Sequence, residues 1–170
     1  MRVNRIQLLA SVATAAVIVL VFAGSAIGTP PDKIVSAPIL ARGDFIDAVD
    51  VKVKLERDGH TVVSNAPSAG EVVVQEITIA PGGSTGWHSH PGPVIVVVKA
   101  GTLTYVREAG GKCVETDYSA GTAFVDSGQG HVHTALNFGT ENIVLLATYL
   151  DVPAGTSPRI DVPTAPSACS

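Results

Sequence analysis

Short apolar runs with a two-residue period dominate the chain after about its first forty positions. From Val49 to Leu55, valine or leucine alternates with charged residues. Since successive side chains of a strand point to opposite faces, this alternation predicts a strand with one buried face. Further short apolar runs are separated by glycine, proline, asparagine or aspartate, and they cover residues 71–80, 94–99, 102–107, 123–126 and 143–149. No comparable stretch has helical periodicity, so the pattern predicts an all-β sandwich or closed barrel.

The first 28 residues have a different pattern. Arg2 and Arg5 precede an apolar run over residues 6–23, which small residues and then a Thr-Pro-Pro sequence follow. This order predicts a signal peptide over residues 1–28. The run is also long enough for an uncleaved membrane anchor, since about 20 apolar residues span a bilayer. Either reading predicts a secreted or extracytoplasmic protein.

The rest of the chain divides by composition. We expect an irregular, proline-punctuated segment over residues 29–43, one β-barrel over 44–150, and a proline-rich tail over 151–170. The formal charge is −4, and it becomes −6 when the two arginines of residues 1–28 are removed. An acidic domain without a basic stripe excludes a nucleic-acid binder.

Both cysteines, Cys113 and Cys169, lie in the portion expected to be exported. In that environment a disulfide between them is expected, and it would hold the tail against the barrel. The sequence leaves two alternatives open, namely two unpaired thiols or a mixed disulfide.

Four of the five histidines form two pairs with a spacing of two residues. His88 and His90 make one pair, and His131 and His133 make the other. Residues two apart on a strand share a face, so each pair can direct two imidazoles toward one point. A single pair is more often an exposed polar face. Two pairs in a chain this poor in histidine indicate a site for a divalent transition metal.

These residues resemble the motifs of the cupin family. The first motif places a glycine five residues before His-x-His, which Gly82 and His88-Ser89-His90 match, and Gly101 closes it. The glutamate position of that motif falls on Val94. The latter half of the second motif fits Gly130, His133 and Asn137, although its proline is absent. The resemblance covers roughly residues 71–149 and implies a double-stranded β-helix (jelly-roll) barrel.

The resemblance assigns His88, His90 and His133 as metal ligands, whereas Val94 cannot ligate. Three readings follow. The metal is held by three imidazoles and water, His131 replaces the missing ligand, or the site is weak and empty in use. Loss of the carboxylate disfavours magnesium and manganese and favours zinc, copper, iron or nickel.

A small barrel of this kind encloses a concave pocket. We expect Val94, Val96 and Val98 to line it, with Tyr105 and Asn137 as hydrogen-bonding groups. Either Glu71 or Glu76 could also approach the site from a neighbouring strand.

The sequence therefore predicts an exported metal-binding cupin with a pocket for a small organic molecule. The resemblance implies dioxygenase or isomerase chemistry if the protein is an enzyme. A non-catalytic binding module and a vestigial structural barrel are the alternatives. Homodimerisation is a further expectation for barrels with paired edges.

Overall fold

The computed structural model describes residues 30–57 and 59–170. The described residues form thirteen strands and one short 3-10 helix, Ser167–Cys169. The strands are β1 (Asp32–Ser36), β2 (Ile39–Gly43), β3 (Val51–Arg57), β4 (His60–Ala66), β5 (Glu71–Ser84), β6 (His88–Ser89), β7 (Val94–Ala100), β8 (Thr102–Ala109), β9 (Lys112–Ser119), β10 (Ala123–Asp126), β11 (His133–Leu136), β12 (Ile143–Val152) and β13 (Ile160–Asp161). No helix among these residues is long and apolar enough to cross a membrane.

Two antiparallel layers form a nearly closed barrel, as the sequence predicted. One layer has the strand order β10-β7-β12-β5, and the other contains β9, β8, β11, β6 and β13. β11 joins the layers because it pairs with the end of β5 through Leu136 and Ser84 and with both β6 and β8. β5 runs past Pro81, where the sequence predicted its end, and Gly82 (φ 68°) allows the bend.

Alternating side chains from both layers point inward and make one core. β7 shows the pattern most clearly, with Val94, Val96 and Val98 buried and the two residues between them exposed. The alternation predicted around Val51 is also present in β3, but its inner face is only half-buried. Within the described residues, β3 pairs only with β4. The two strands therefore form a separate hairpin that packs on the outside of the barrel and is not part of its wall.

The structure corrects the expectation of an irregular segment over residues 29–43. β1 and β2 pair antiparallel with β5 along its open edge. Eight of their ten residues are exposed, and the other two, Ile34 and Arg42, are half-buried, so neither strand shows an alternating buried face. Backbone hydrogen bonds to β5 hold them in place, and such bonds leave no hydrophobic period in the sequence.

The proline-rich tail is part of the fold. β13 pairs with β6, which carries His88, and the backbone N–H of Val162 donates to the carbonyl of Trp87. The predicted disulfide is confirmed, since Cys113 on β9 is bonded to Cys169 near the end of the tail. The tail is therefore fixed at two places, by backbone pairing beside the histidines and by a covalent bond on β9.

Replacing both cysteines by serine should lower the free energy of unfolding by about 2–4 kcal/mol, because the bond restricts the unfolded chain. Chemical denaturation without reductant would measure the change. Wild-type protein unfolded with reductant present should match the variant. A change below about 1 kcal/mol would show that the bond contributes little to stability.

Candidate metal centre

Three imidazole rings meet inside the barrel near one of its ends. His88 and His133 face each other across the β6–β11 pair, and their ring centroids are 4.3 Å apart. The His90 ring lies 4.9 Å from that of His88 and 5.1 Å from that of His133. Each of the three residues is only 5% exposed. One ligand atom from each lies within 4.8 Å of the others.

The Nδ1 atom of each ring faces an acceptor of the protein. His88 Nδ1 is 2.8 Å from the Gly86 carbonyl oxygen, and His90 Nδ1 is 2.8 Å from the Pro158 carbonyl oxygen. His133 Nδ1 lies 3.3 Å from the His131 carbonyl oxygen. A carbonyl oxygen only accepts, so Nδ1 carries the proton and Nε2 keeps its lone pair.

This arrangement fits a transition metal. An imidazole that binds a metal does so through one nitrogen, while its other nitrogen donates to a carbonyl or carboxylate. Each of these three rings has its Nδ1 beside such an acceptor. Bonds of about 2.0–2.1 Å to a shared ion require donor atoms that lie roughly 4 Å apart or less. The three ligand atoms lie within 4.8 Å of one another, so an inward movement of the rings would complete a three-nitrogen site.

A buried carboxylate supports the third ring. Asp126, at the end of β10, is 1% exposed, and its Oδ2 lies 3.3 Å from His133 Nδ1. The same carboxylate accepts hydrogen bonds from the Tyr105 hydroxyl and from the Gly128 backbone N–H. Sequence analysis did not select Asp126. An aspartate that ends an apolar strand just before a glycine-rich turn was the available signal.

His131 does not join the three histidines. It precedes β11, which begins at His133, so the two residues do not share a strand face. Its Nδ1 lies 3.5 Å from Asp126 Oδ2, and its ring borders a separate cleft with Arg57. Asp126, His131 and His133 form a second, overlapping group of candidate ligands.

Two glycines bring the histidine loop and the carboxylate turn together. Gly128 has φ 61°, and a Cβ there would lie 1.8 Å from the Gly92 carbonyl oxygen. A Cβ on Gly92 would lie 2.2 Å from the Leu150 carbonyl oxygen. Neither position accepts a side chain without backbone movement, so both glycines are required to pack His90 beside Asp126.

Two cavities adjoin the histidines. The barrel cavity, of about 40 Å³, lies inside the core, and the outer cavity, of about 300 Å³, lies between the barrel and the two terminal segments. Both are bordered by Ile77, Thr85, His88, His90 and Tyr149. The barrel cavity has room for an ion and little more, whereas the outer cavity has room for a small organic molecule.

The expected pocket residues are only partly where the sequence placed them. Val94, Val96 and Tyr105 line the barrel cavity. Val98 is buried in the core and borders neither cavity. Asn137 also borders neither, because its amide donates to the carbonyls of Ile79 and Glu141 and holds the turn after β11.

Neither glutamate considered from the sequence reaches the site. Glu71 pairs with Arg42 of β2, and Glu76 pairs with Lys99 on the outer face of the sheet. The Glu71 carboxylate therefore joins β5 to its neighbour β2, and the Glu76 carboxylate joins β5 to β7 across β12.

A family model of the cupin domain matches residues 75–149. This range contains all three clustered histidines and Asp126. The chain contains a cupin domain.

Solved structures with a similar fold include other cupins. A double-stranded β-helix protein from Klebsiella pneumoniae is 24% identical, with a TM-score of 0.43, over 54% of this chain and 74% of that one. An oxalate oxidase is 26% identical, with a TM-score of 0.42, over 47% of this chain and 41% of that one. The Bacillus subtilis oxalate decarboxylase, which has Mn(II) centres, is 19% identical, with a TM-score of 0.46, over 54% of this chain and 24% of that one. The chain therefore spans less than half the length of either oxalate enzyme. No curated protein sequence matches it.

Within the cupin motif, the missing carboxylate has a counterpart on the neighbouring strand. Asp126 is the antiparallel register partner of Val94, at which the glutamate position of the motif falls. Paired residues of antiparallel strands project from the same face, so Asp126 enters the barrel beside the Val94 side chain. Its carboxylate contacts the Nδ1 side of His133, so it supports a ligand from behind.

Burial sets the charge of the centre. Burial lowers the pKa of His88 and His90, and it lowers the pKa of His133 to about 4. Burial alone would raise the pKa of Asp126, but the nearby His133 and His131 hold it well below its ordinary value. At neutral pH the metal-free centre therefore contains three neutral imidazoles and one carboxylate anion.

The metal-free protein should lose stability in acid. His133 takes up a proton near pH 6.5 in the unfolded chain but only near pH 4 in the folded protein. Its contribution to the free energy of unfolding is therefore fully present above pH 6.5 and is lost as the pH falls toward 4. The loss from this residue should be roughly 3 kcal/mol. Denaturant unfolding at several pH values would measure it. The exposed-histidine variant His60→Gln should keep the same pH dependence. His133→Asn should make it shallower without abolishing it, because His88 and His90 still contribute. Equal profiles for all three proteins would contradict the assignment.

Asp126→Asn should weaken metal binding about 10- to 100-fold, the range seen when a carboxylate behind a histidine ligand is lost. Tyr105→Phe should have a smaller effect in the same direction because it removes one donor to that carboxylate. Competition with a chelator of known affinity would measure both. The exposed Asp117→Asn serves as control. Wild-type affinity in Asp126→Asn would show that the carboxylate plays no part in binding.

Proposed function

We propose that this cupin is an exported metalloprotein that holds one divalent transition metal on His88, His90 and His133 and acts on a small organic molecule in the outer cavity. Zinc, copper, iron and nickel all accept imidazole nitrogen. The observation that carries the proposal is the fixed orientation of three buried neutral rings, each with Nδ1 turned to an acceptor and Nε2 left for an ion.

The outer cavity supports an enzyme. Its wall includes the rings of His88 and His90, so a molecule in the cavity would lie directly against the ligand set. When bound, the metal supplies a Lewis-acid or oxygen-activating centre, as in oxygenase-type and isomerase-type reactions. The protein contributes the shape of the cavity, the exclusion of water by its apolar wall, and the orientation of the rings.

Tyr149 and Gln75 are the neutral polar groups best placed to orient the bound molecule. The Tyr149 hydroxyl donates to Gln75 Oε1 at 3.0 Å, and Gln75 Nε2 donates to the Ala37 carbonyl at 2.7 Å. Burial raises the pKa of Tyr149, so its hydroxyl keeps its proton at neutral pH. It therefore serves as a hydrogen-bonding group and not as a base.

Export is supported by the sequence of the first 28 residues and by the disulfide bond. The basic, apolar and small-residue order of residues 1–28 is that of a signal peptide or anchor, and these residues lie outside the described part. The bond between Cys113 and Cys169 is characteristic of oxidising compartments.

Metal analysis of the full-length, untagged chain tests the proposal. Purified without chelators, the wild type should contain about one transition metal per chain by plasma mass spectrometry. His88→Ala/His90→Ala should contain almost none, whereas His60→Ala, which alters an exposed histidine of the β3–β4 hairpin, should match the wild type. A wild type that stays empty after exposure to zinc, copper, nickel and iron would overturn the metal centre. Metal without turnover or oxygen uptake on small organic substrates would indicate a binding module.

A further inference from the structure

The outer cavity has one charged group, and it lies beside the histidines. Among the described residues that line the cavity, Arg159 is the only lysine, arginine, aspartate or glutamate. It stands in the tail, immediately before β13, and lies outside the matched range 75–149. Much of the remaining wall is apolar, formed by Pro31, Ile34, Ala37, Ile77 and Pro158.

The guanidinium of Arg159 has an unused donor. Its Nε donates to Asp161 Oδ1 at 2.6 Å, but its Nη2 is buried and has no hydrogen-bond partner among the described residues. The Asp161 side chain is 75% exposed and takes only the Nε edge. A buried charged donor without an acceptor costs free energy. Because Nη2 has no accessible surface, the side chain must turn toward the cavity for a bound acceptor to reach this donor.

The positive charge extends to the histidine side of the cavity. The strand that follows Arg159, β13, pairs with β6, and Asp161 is the register partner of His88. Burial raises the pKa of Tyr149, and Arg159 opposes that rise. The arginine therefore stands at the histidine end of the cavity wall, and its carboxylate partner, Asp161, does not line the cavity.

We propose that the outer cavity binds a small organic carboxylate, with its carboxylate on Arg159 and its hydrocarbon part against Ile34 and Ile77. A guanidinium presents paired N–H donors that match a carboxylate. A cavity of about 300 Å³ is at the small end of ligand sites, so the acid has a short hydrocarbon part. The inference rests on the proposed function for the presence of a metal beside the cavity, and it adds the chemical class of the substrate.

Calorimetric titration of the full-length chain with isovalerate tests the inference, and the neutral isostere isovaleramide serves as the matched probe. Metal-free and cobalt-loaded protein are titrated in parallel, and metal content is measured in each sample. The wild type should prefer isovalerate to isovaleramide. Arg159→Gln should bind isovalerate about ten-fold or more weakly, the loss expected for a charged hydrogen bond, and bind isovaleramide unchanged. Lys54→Gln removes a cation from the exposed hairpin and should match the wild type.

Asp161→Asn gives a second test that keeps the arginine. Removal of this exposed carboxylate frees the Nε edge, so affinity for isovalerate should increase. If Arg159→Gln fails to fold by circular dichroism, Asp161→Asn decides, and unchanged affinity overturns the proposal.

The two proposals fail in different ways. Equal binding of isovalerate by wild type and Arg159→Gln, with metal present in both, overturns the carboxylate site and leaves the metal centre in place. Absence of metal overturns the proposed function. In that case the metal-free titrations still decide whether Arg159 selects the anion.

Discussion

Each of the three buried imidazoles needs an acceptor for its ring proton. This requirement accounts for the position of the chain segments that surround the histidines. An unpaired buried N–H would cost free energy, so every Nδ1 needs a fixed partner. The partners come from three places: the Gly86 carbonyl before β6, the Pro158 carbonyl in the tail, and His131 with Asp126 beside β11. Because each acceptor fixes one ring, the Nε2 edges are oriented before any metal arrives. The close approach of Gly92 and Gly128 keeps two of these segments in contact.

The sequence was sufficient for the barrel and for the three clustered histidines, and insufficient for what surrounds them. Strand alternation and the cupin motifs depend on local spacing, which a sequence displays directly. His131 lies apart from the cluster of His88, His90 and His133 because the two-residue rule holds only within a strand, and β11 begins at His133. Asp126 was missed because its position beside Val94 is a matter of register between β7 and β10. Pairing between distant segments leaves no period along the chain, and for the same reason β1 and β2 were not foreseen.

The C-terminal tail contributes both to the stability of the fold and to the orientation of the histidines. Pro158 supplies the acceptor for His90, β13 pairs with the strand that carries His88, and Cys169 anchors the end to β9. A tail held only by its few backbone bonds would fray, as chain ends commonly do. The covalent bond limits that fraying, so it also limits how far the Pro158 carbonyl can move from His90. A bond that is remote from the histidines thus contributes to their orientation.

Under the proposed function, the division between barrel and terminal segments also separates the metal site from the binding site of the organic molecule. His88, His90, His133 and Asp126 all lie within the matched cupin range, whereas much of the outer-cavity wall, from Pro31 to Ala37 and from Ser157 to Arg159, lies outside it. The barrel cavity has room for an ion and little more, so under the proposed function the organic molecule would be recognised largely by those added segments. Changes in the terminal segments can therefore alter the accepted molecule while the histidine geometry stays intact. This arrangement explains how a barrel that hosts many chemistries can differ in specificity without rebuilding its core.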